Sequence, residues 1–157
     1  MKRNLKSDIF WISFPLAVGF LSGLLSREGT EIYGLGIDKP PLSPPAFVFP
    51  VVWTVLYTLM GIGTALIGRQ PFEKNRALAL NVFVTQLIVN FFWSLIFFNA
   101  QAYGFAFVWL LVLLTLVILM AVMFFRQNKT AGLLQIPYIL WLVFAAYLNY
   151  SVWKLNG

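Results

Sequence analysis

Residues 77–125 read ALALNVFVTQLIVNFFWSLIFFNAQAYGFAFVWLLVLLTLVILMAVMFF and contain no charged side chain. As one continuous helix these 49 residues would extend about 74 Å, roughly twice the thickness of the hydrocarbon core of a bilayer. The run must therefore fold back once, and the polar segment NAQAYG at 99–104 is suited to the turn. The sequence predicts two membrane-spanning helices here, near 77–98 and 104–125.

Three further apolar stretches, at 9–26, 46–68 and 131–153, are each long enough to cross a bilayer. Hydrophobic residues make up 61% of the chain and charged residues 10%, against roughly 25% charged residues in average soluble domains. A soluble chain of this length could not bury so much apolar surface. The predicted fold is an all-α integral membrane protein, with residues 1–157 forming a single bundle of five transmembrane helices.

The charged residues are divided unequally between the two ends of this bundle. Five spans place the termini on opposite sides of the membrane, and eight of the eleven Lys and Arg residues lie on the side of the N-terminus. The positive-inside rule then places the N-terminus in the cytoplasm, and we expect the cell membrane as the location. The net charge of +6 lies wholly on that side, which favours anionic lipid headgroups. No basic motif with interleaved aromatic residues occurs outside the spans, so we expect no nucleic-acid partner.

The chain contains no Cys and no His. Zinc and copper sites that use thiolate or imidazole are therefore excluded, as are Cys–His and Ser–His–Asp catalysis. Among the usual axial ligands of haem iron, only Met and Tyr are available. We predict no metal site and no resident cofactor.

The interiors of the predicted spans carry neither acids nor bases, and Asp8 lies at the border of the first span. Proton-coupled transporters generally need an intramembrane carboxylate. A small multidrug-type transporter is therefore the less favoured alternative. We expect an apolar ligand, moved passively if it is moved at all, and no ionised group beside it.

Spans two, three and five each place a Trp beside small or polar neighbours at helical spacing. One interpretation is that these side chains form hydrogen bonds between helices. The other is that they line a flat, aromatic-walled cavity with one or two amide groups for a ligand. The residues are Trp53 and Tyr57 in span two, Gln86, Asn90, Trp93 and Ser94 in span three, and Trp141, Ala145 and Leu148 in span five.

Small residues at four-residue spacing predict close helix packing in the first two spans. Gly19 and Gly23 form one pair, and Gly61 and Ala65 form the other. Either pair would suit a homodimer interface or a contact within the chain, and the sequence does not choose between them.

The longest connection, REGTEIYGLGIDKPPLSPP at 27–45, contains apolar residues and ends in four prolines. Long loops in compact domains are usually functional or disordered, and we interpret this one as an ordered cap over the bundle. Its prolines would brace the cap and fix the pose of Trp53 beneath it. Pro15, Pro50 and Pro137 lie within or near the starts of spans, where each can kink a helix.

In its motifs, from about Phe14 to Asn156, the chain resembles the translocator protein family (TspO/MBR), also called tryptophan-rich sensory proteins or peripheral-type benzodiazepine receptors. The resemblance depends on the order and spacing of several blocks around the five spans. One departure is Leu42, which stands where the family often has Trp. The matching blocks are Tyr33 with Gly34, DKPPLSPP at 38–45, PVVWTVLYTLMG at 50–61, QLIVNFFWSLIFF at 86–98 and PYILWLVFAAYLNYSVWKLN at 137–156.

The resemblance implies a five-helix bundle, often a homodimer, with a pocket below the first loop. Such a pocket would bind tetrapyrroles such as protoporphyrin IX and isoquinoline carboxamide or benzodiazepine-type ligands. A metal-free porphyrin is expected, since His and Cys are absent. For some members the resemblance also suggests light-dependent porphyrin degradation, in which Trp53 and Trp141 would be the oxidised, catalytic partners. Combined with the residues at helical spacing named above, the resemblance predicts a set of ligand-binding residues. They are Tyr33, Trp53, Tyr57, Asn90, Trp93, Trp141, Ala145 and Leu148.

Overall fold

The computed structural model describes residues 4–157, which form helices joined by short connections and contain no strand. The fourth helix ends in a π-helical turn at Leu95–Asn99. The α-helices are α1 Leu5–Leu25, α2 Arg27–Gly36, α3 Val48–Gly68, α4 Lys74–Ser94, α5 Tyr103–Gln127, α6 Lys129–Leu133 and α7 Ile136–Asn156.

Five helical segments within the described residues are long and apolar enough to cross a membrane, which confirms the predicted number of spans. The first, second and fourth are α1, α3 and α5; α4 with its π-helical turn forms the third, and α6 with α7 forms the fifth. The predicted turn at 99–104 is also confirmed. There the Ala100 amide donates to the Leu95 carbonyl at 2.9 Å, and Gln101 adopts a left-handed φ of 52°.

The connection between the first two spans is ordered, as predicted, but its first half is the helix α2. This helix continues almost directly from α1, because the Thr30 amide donates to the Ser26 carbonyl at 2.8 Å. Two tight turns follow it. The Ser43 amide donates to the Pro40 carbonyl, and the Val48 amide donates to the Pro45 carbonyl. Proline suits such turns because its φ is already fixed.

Only one of the three prolines expected to kink a span lies beyond the first turn of its helix. Pro15 is an interior residue of α1, whereas Pro50 and Pro137 lie in the first turns of α3 and α7. In a first turn the missing N–H removes no helical hydrogen bond. Pro50 and Pro137 therefore give no reason for a kink in α3 or α7.

The small residues of α1 and α3 serve contacts within the chain. A Cβ atom on Gly61 would lie 2.7 Å from Ile12 Cα and 2.9 Å from the carbonyl oxygens of Ile12 and Trp11. One on Gly19 would clash with the Tyr57 ring, whereas one on Gly23 would meet open space. Glycine thus allows the two helix backbones to approach closely.

The helix α5 packs against α4 and α7 along one stripe, although its sequence is apolar on every face. Leu110, Leu113, Val117, Met120 and Phe124 on this stripe are almost fully buried. Their spacing of three and four residues is that of one helix face. As expected for a lipid-facing helix, α5 contributes no residue to the cavity described below.

One buried ion pair joins the start of α1 to the end of α3. Arg69 Nε donates to Asp8 Oδ1 at 3.1 Å, and Arg69 Nη2 donates to Asp8 Oδ2 at 2.6 Å. The side chain of Asp8 is 7% exposed and that of Arg69 is 24% exposed. The hydrogen bonds that Arg69 donates to Asp8 raise the pKa of Arg69, so the guanidinium is charged at neutral pH.

The Asp8→Asn variant is expected to lower the free energy of unfolding by about 1–3 kcal/mol, because it leaves the Arg69 guanidinium without its counter-charge. Reversible unfolding in mixed detergent micelles measures this change. As the matched control, Glu31→Gln removes a carboxylate from an exposed pair and should alter stability by less than about 0.5 kcal/mol. Equal stabilities of Asp8→Asn and wild type would contradict the assignment.

Candidate functional site

A cavity of about 640 Å³ lies inside the bundle beside α2. Pockets for small ligands are commonly roughly 300–1,000 Å³ in volume. Its lining comes from α1, α2, α3, α7 and the end of α4 with its π-helical turn. The cavity is therefore large enough for a drug-sized or macrocyclic molecule. Of the predicted cap at 27–45, only the helix α2 contributes to its lining.

The walls contributed by α3 and α7 are aromatic. The rings of Trp53 and Trp141 lie 6.5 Å apart, centroid to centroid, and are nearly perpendicular at 88°. Phe49 lies edge-on to Trp141 at 6.0 Å, and the Tyr57 ring lies 5.6 Å from Trp53. These rings offer large apolar faces, on which a planar conjugated ligand can stack.

The wall contributed by α4 is also aromatic, and its rings are held in fixed positions. Trp93 stacks on Phe97 at 5.1 Å. Its indole N–H donates to Asn149 Oδ1 at 3.1 Å, and the Asn149 amide donates to the Tyr103 carbonyl at 2.8 Å. Because the N–H of Trp93 is bonded to the protein, this indole offers a ligand its apolar surface.

Asn90 lies beneath the cavity and does not line it. Its Oδ1 accepts from the Tyr57 hydroxyl at 2.9 Å, and its Nδ2 donates to the Tyr138 hydroxyl at 2.6 Å. The Tyr138 hydroxyl donates onward to Gln86 Oε1 at 2.8 Å. Of the two interpretations of these polar residues, hydrogen bonding between helices describes Asn90, because both polar atoms of its amide are bonded to tyrosine hydroxyls.

Trp141 carries the polar group in the aromatic wall that is left without a partner. Its Nε1 is buried and has no hydrogen-bond partner among residues 4–157. A buried donor left unpaired costs roughly 1–3 kcal/mol. The nitrogen has almost no accessible surface, even toward the cavity, so a ligand would reach it only after the ring or its neighbours moved. Nothing in the sequence distinguished this indole from Trp53 in that respect.

The helix α2 lines one side of the cavity and docks on the π-helical turn. Tyr33 packs on Phe97 and Phe98 at 5.5 and 5.4 Å. A Cβ atom on Gly29 would lie 2.5 Å from the backbone of Phe98, so glycine is needed for this close approach. Asn99 Nδ2 also donates to the Leu25 carbonyl at 2.8 Å.

The far end of the cap is fastened to α7 and to α2. The Asp38 amide donates to Asn156 Oδ1 at 3.1 Å, and Asn156 Nδ2 donates to the Asp38 carbonyl at 2.8 Å. Lys39 Nζ donates to the Gly34 carbonyl and lies 5.0 Å from the Tyr33 ring. Burial raises the pKa of Tyr33, and nearby Tyr103 raises it further. Tyr33 is therefore neutral at physiological pH.

The cavity also has a polar border, which the sequence pattern did not predict. Arg27 and Glu31 line it on α2 and form an exposed pair at 3.7 Å. The expectation of a cavity with no ionised group nearby is therefore wrong at its open end. Their positions depend on residues 27–36 being helical, and the predicted loop gave no reason to place them side by side.

Seven of the eight predicted ligand-binding residues lie together around the cavity, and Asn90 lies below it. Their binding roles stay predictions. The seven are Tyr33, Trp53, Tyr57, Trp93, Trp141, Ala145 and Leu148.

Comparison with known proteins places this architecture among named relatives. The model of the TspO/MBR family matches residues 11–154. The tryptophan-rich protein TspO of Chlorobaculum tepidum is 32% identical, with 99% of each chain covered. The translocator protein of Ovis aries is 36% identical over 90% of this chain and 85% of its own. The tryptophan-rich protein TspO of Archaeoglobus fulgidus is 35% identical over 90% of this chain and 92% of its own.

Proposed function

This chain belongs to the TspO/MBR family, and on that premise we propose that its cavity binds tetrapyrroles such as protoporphyrin IX. The same cavity would accept isoquinoline carboxamide and benzodiazepine-type ligands. Binding, with sensing or passive carriage of the ligand, is the proposed activity. A metal-free porphyrin is the preferred form, because the chain has no His or Cys to ligate iron.

The observation that carries this proposal is the set of aromatic walls around the cavity. Trp53, Trp141 and Trp93 all line one cavity of about 640 Å³. Their faces suit a flat conjugated ring system.

Replacing one wall tests the proposal directly. Trp53→Leu is expected to weaken protoporphyrin IX binding about five- to thirtyfold, since a stacked aromatic ring and part of its buried area are lost. Titration followed by porphyrin absorbance gives the affinity. Trp11→Leu is the control, because Trp11 packs on Phe83 and Gly68 away from the cavity. Equal loss of affinity in both variants would contradict the proposed site.

We further propose that the protein resides in the cell membrane with its N-terminus in the cytoplasm, and that it forms a homodimer. The asymmetric distribution of Lys and Arg supports the orientation. The glycines of α1 and α3 do not identify the dimer interface, since Gly19 and Gly61 face contacts within the chain.

Light-dependent porphyrin degradation is a second candidate activity, favoured by the contact between Trp53 and Trp141. Both indoles line the cavity, 6.5 Å apart. A porphyrin bound there would act as photosensitiser, with molecular oxygen as the oxidant. The two indoles would be the oxidisable side chains beside it.

Illuminating the protein with bound protoporphyrin IX tests this second activity. The Trp53→Phe and Trp141→Phe variants keep an aromatic ring but lose the oxidisable indole, so we expect pigment bleaching to slow at least about fivefold at equal occupancy. Absorbance at saturating protein concentration follows the reaction. Wild-type bleaching rates in both variants would contradict direct participation of Trp.

A small multidrug-type transporter remains the alternative, and the position of Asp8 argues against it. Asp8 is the one carboxylate within the described parts of the five spans, and it is engaged by Arg69. A carboxylate held in an ion pair at the end of the bundle is poorly placed to couple proton movement to a ligand. Ligand flux that responds to a pH gradient in proteoliposomes would favour the alternative.

A further inference from the structure

We propose that Arg27 receives an ionised carboxylate of the ligand at the open end of the cavity. The preferred ligand would then be a flat apolar body with acid groups along one edge. This inference rests on the proposed function and specifies the chemistry of its ligand.

The indoles and a line of hydroxyl residues come to the cavity from different helices. The sides formed by α3, α4 and α7 carry Trp53, Trp93 and Trp141. The line of hydroxyl residues runs at four-residue spacing through α1 and α2, and it ends beside Arg27. The hydroxyl residues are Ser22, Ser26 and Thr30.

The hydroxyl groups in this line are already bonded to the backbone. Ser26 Oγ donates to the Ser22 carbonyl at 2.6 Å, and Thr30 Oγ1 donates to the Ser26 carbonyl at 2.8 Å. Each hydroxyl donates one proton, so these residues have no second proton for an anion. The strong donor left at the end of this line is the guanidinium of Arg27.

Arg27 is held only weakly in its present position. Its side chain is 77% exposed, and its described ion-pair partner is Glu31 at 3.7 Å. Such an exposed ion pair, four residues apart on a helix, contributes little to the stability of the protein. A guanidinium can bind a carboxylate through two parallel hydrogen bonds, so a ligand acid can displace Glu31 at small cost.

Glu31 competes with a ligand acid for the guanidinium of Arg27. It is the acidic residue in the lining, and it lies beside the one lysine or arginine there. Its carboxylate occupies Arg27 in the empty cavity and would repel an incoming acid. Removal of Glu31 should therefore strengthen binding of an acidic ligand, whereas removal of Arg27 should weaken it.

Protoporphyrin IX is such a flat body with acid groups along one edge. Its two propionates lie at one edge of the macrocycle, and methyl and vinyl groups occupy the rest of the periphery. With the ring against the indoles, the propionate edge would point toward α2 and the solvent. A charged group is least costly at this exposed end.

The test compares protoporphyrin IX with its dimethyl ester, which has the same ring and no ionised acid. For the free acid, Arg27→Gln should weaken binding about three- to fivefold and Glu31→Gln should strengthen it about twofold, as expected for a partly solvated charge pair. Neither change should alter the affinity for the ester. Higher salt concentration should weaken free-acid binding in wild type more than in Arg27→Gln.

Arg126→Gln is the matched control, since it removes the same charge from the last turn of α5, outside the cavity. It should leave both affinities unchanged. An unchanged free-acid affinity in Arg27→Gln, or an equal loss for acid and ester, would overturn the role of Arg27 and leave the proposed function standing. Failure of wild type to bind either porphyrin would instead contradict the proposed function on which it rests.

Discussion

Gly61→Ala is expected to destabilise the bundle strongly, because the added methyl group meets the backbone of a neighbouring helix. The new Cβ would lie 2.7 Å from Ile12 Cα and within 2.9 Å of two carbonyl oxygens of α1. These are backbone atoms and cannot rotate away as the end of a side chain would. The helices α1 and α3 must then separate, at a cost of at least about 2–3 kcal/mol. Reversible unfolding in mixed detergent micelles measures the loss.

Gly23→Ala is the matched control for that experiment. It adds the same methyl group to α1, where the Cβ meets no atom within 4 Å. The higher helix propensity of Ala should leave stability unchanged or slightly raised, by up to about 1 kcal/mol. Equal stabilities for Gly61→Ala and Gly23→Ala would show that α1 and α3 do not meet as described.

The number and position of the spans could be predicted because the hydrocarbon core imposes a length. The uncharged run at 77–125 had to fold back, and NAQAYG contained the polar residues for the turn. The structure turns there through the left-handed backbone of Gln101. The preceding π-helical turn had no signature in the sequence, because it depends on how α4 meets α2.

The helix α2 was missed for a local reason. Residues 27–36 contain three glycines, which weaken helices in isolation. Its helical state is supported by tertiary contacts. Gly29 lies against the backbone of Phe98, and Tyr33 packs on Phe97. With α2 absent from the prediction, the positions of Arg27 and Glu31 could not be foreseen.

The aromatic lining could be predicted, but the role of the amides could not. Helical spacing placed Trp53 and Tyr57 on one face, and it placed Gln86 and Asn90 on another. Spacing along one helix does not identify partners on other helices. The Tyr57 and Tyr138 hydroxyls bond to Asn90, and that pairing required the fold.

Filling the cavity from α1 is expected to have the largest effect on ligand binding. Gly23 lines the cavity, and a Cβ on it meets only open space. A Leu side chain at this position can therefore enter the cavity without displacing a helix. It would occupy volume that a planar macrocycle needs, so Gly23→Leu should weaken protoporphyrin IX binding at least about tenfold.

Gly34→Leu provides the matched control. Gly34 also meets no atom within 4 Å of a new Cβ, but it lies on α2 outside the cavity lining. The same side chain at Gly34 should leave the affinity within about twofold of wild type. Porphyrin titration of folded wild type, Gly23→Leu and Gly34→Leu measures the effect of the same side chain at the two positions.

In the proposed function, the space between α1 and the indoles of α3 and α7 holds the flat ligand. Titration of Gly23→Leu beside Gly34→Leu with protoporphyrin IX tests it most directly. We predict a loss of affinity in Gly23→Leu alone. Wild-type affinity in a folded Gly23→Leu protein would contradict the claim, because a filled cavity cannot then be where the porphyrin binds.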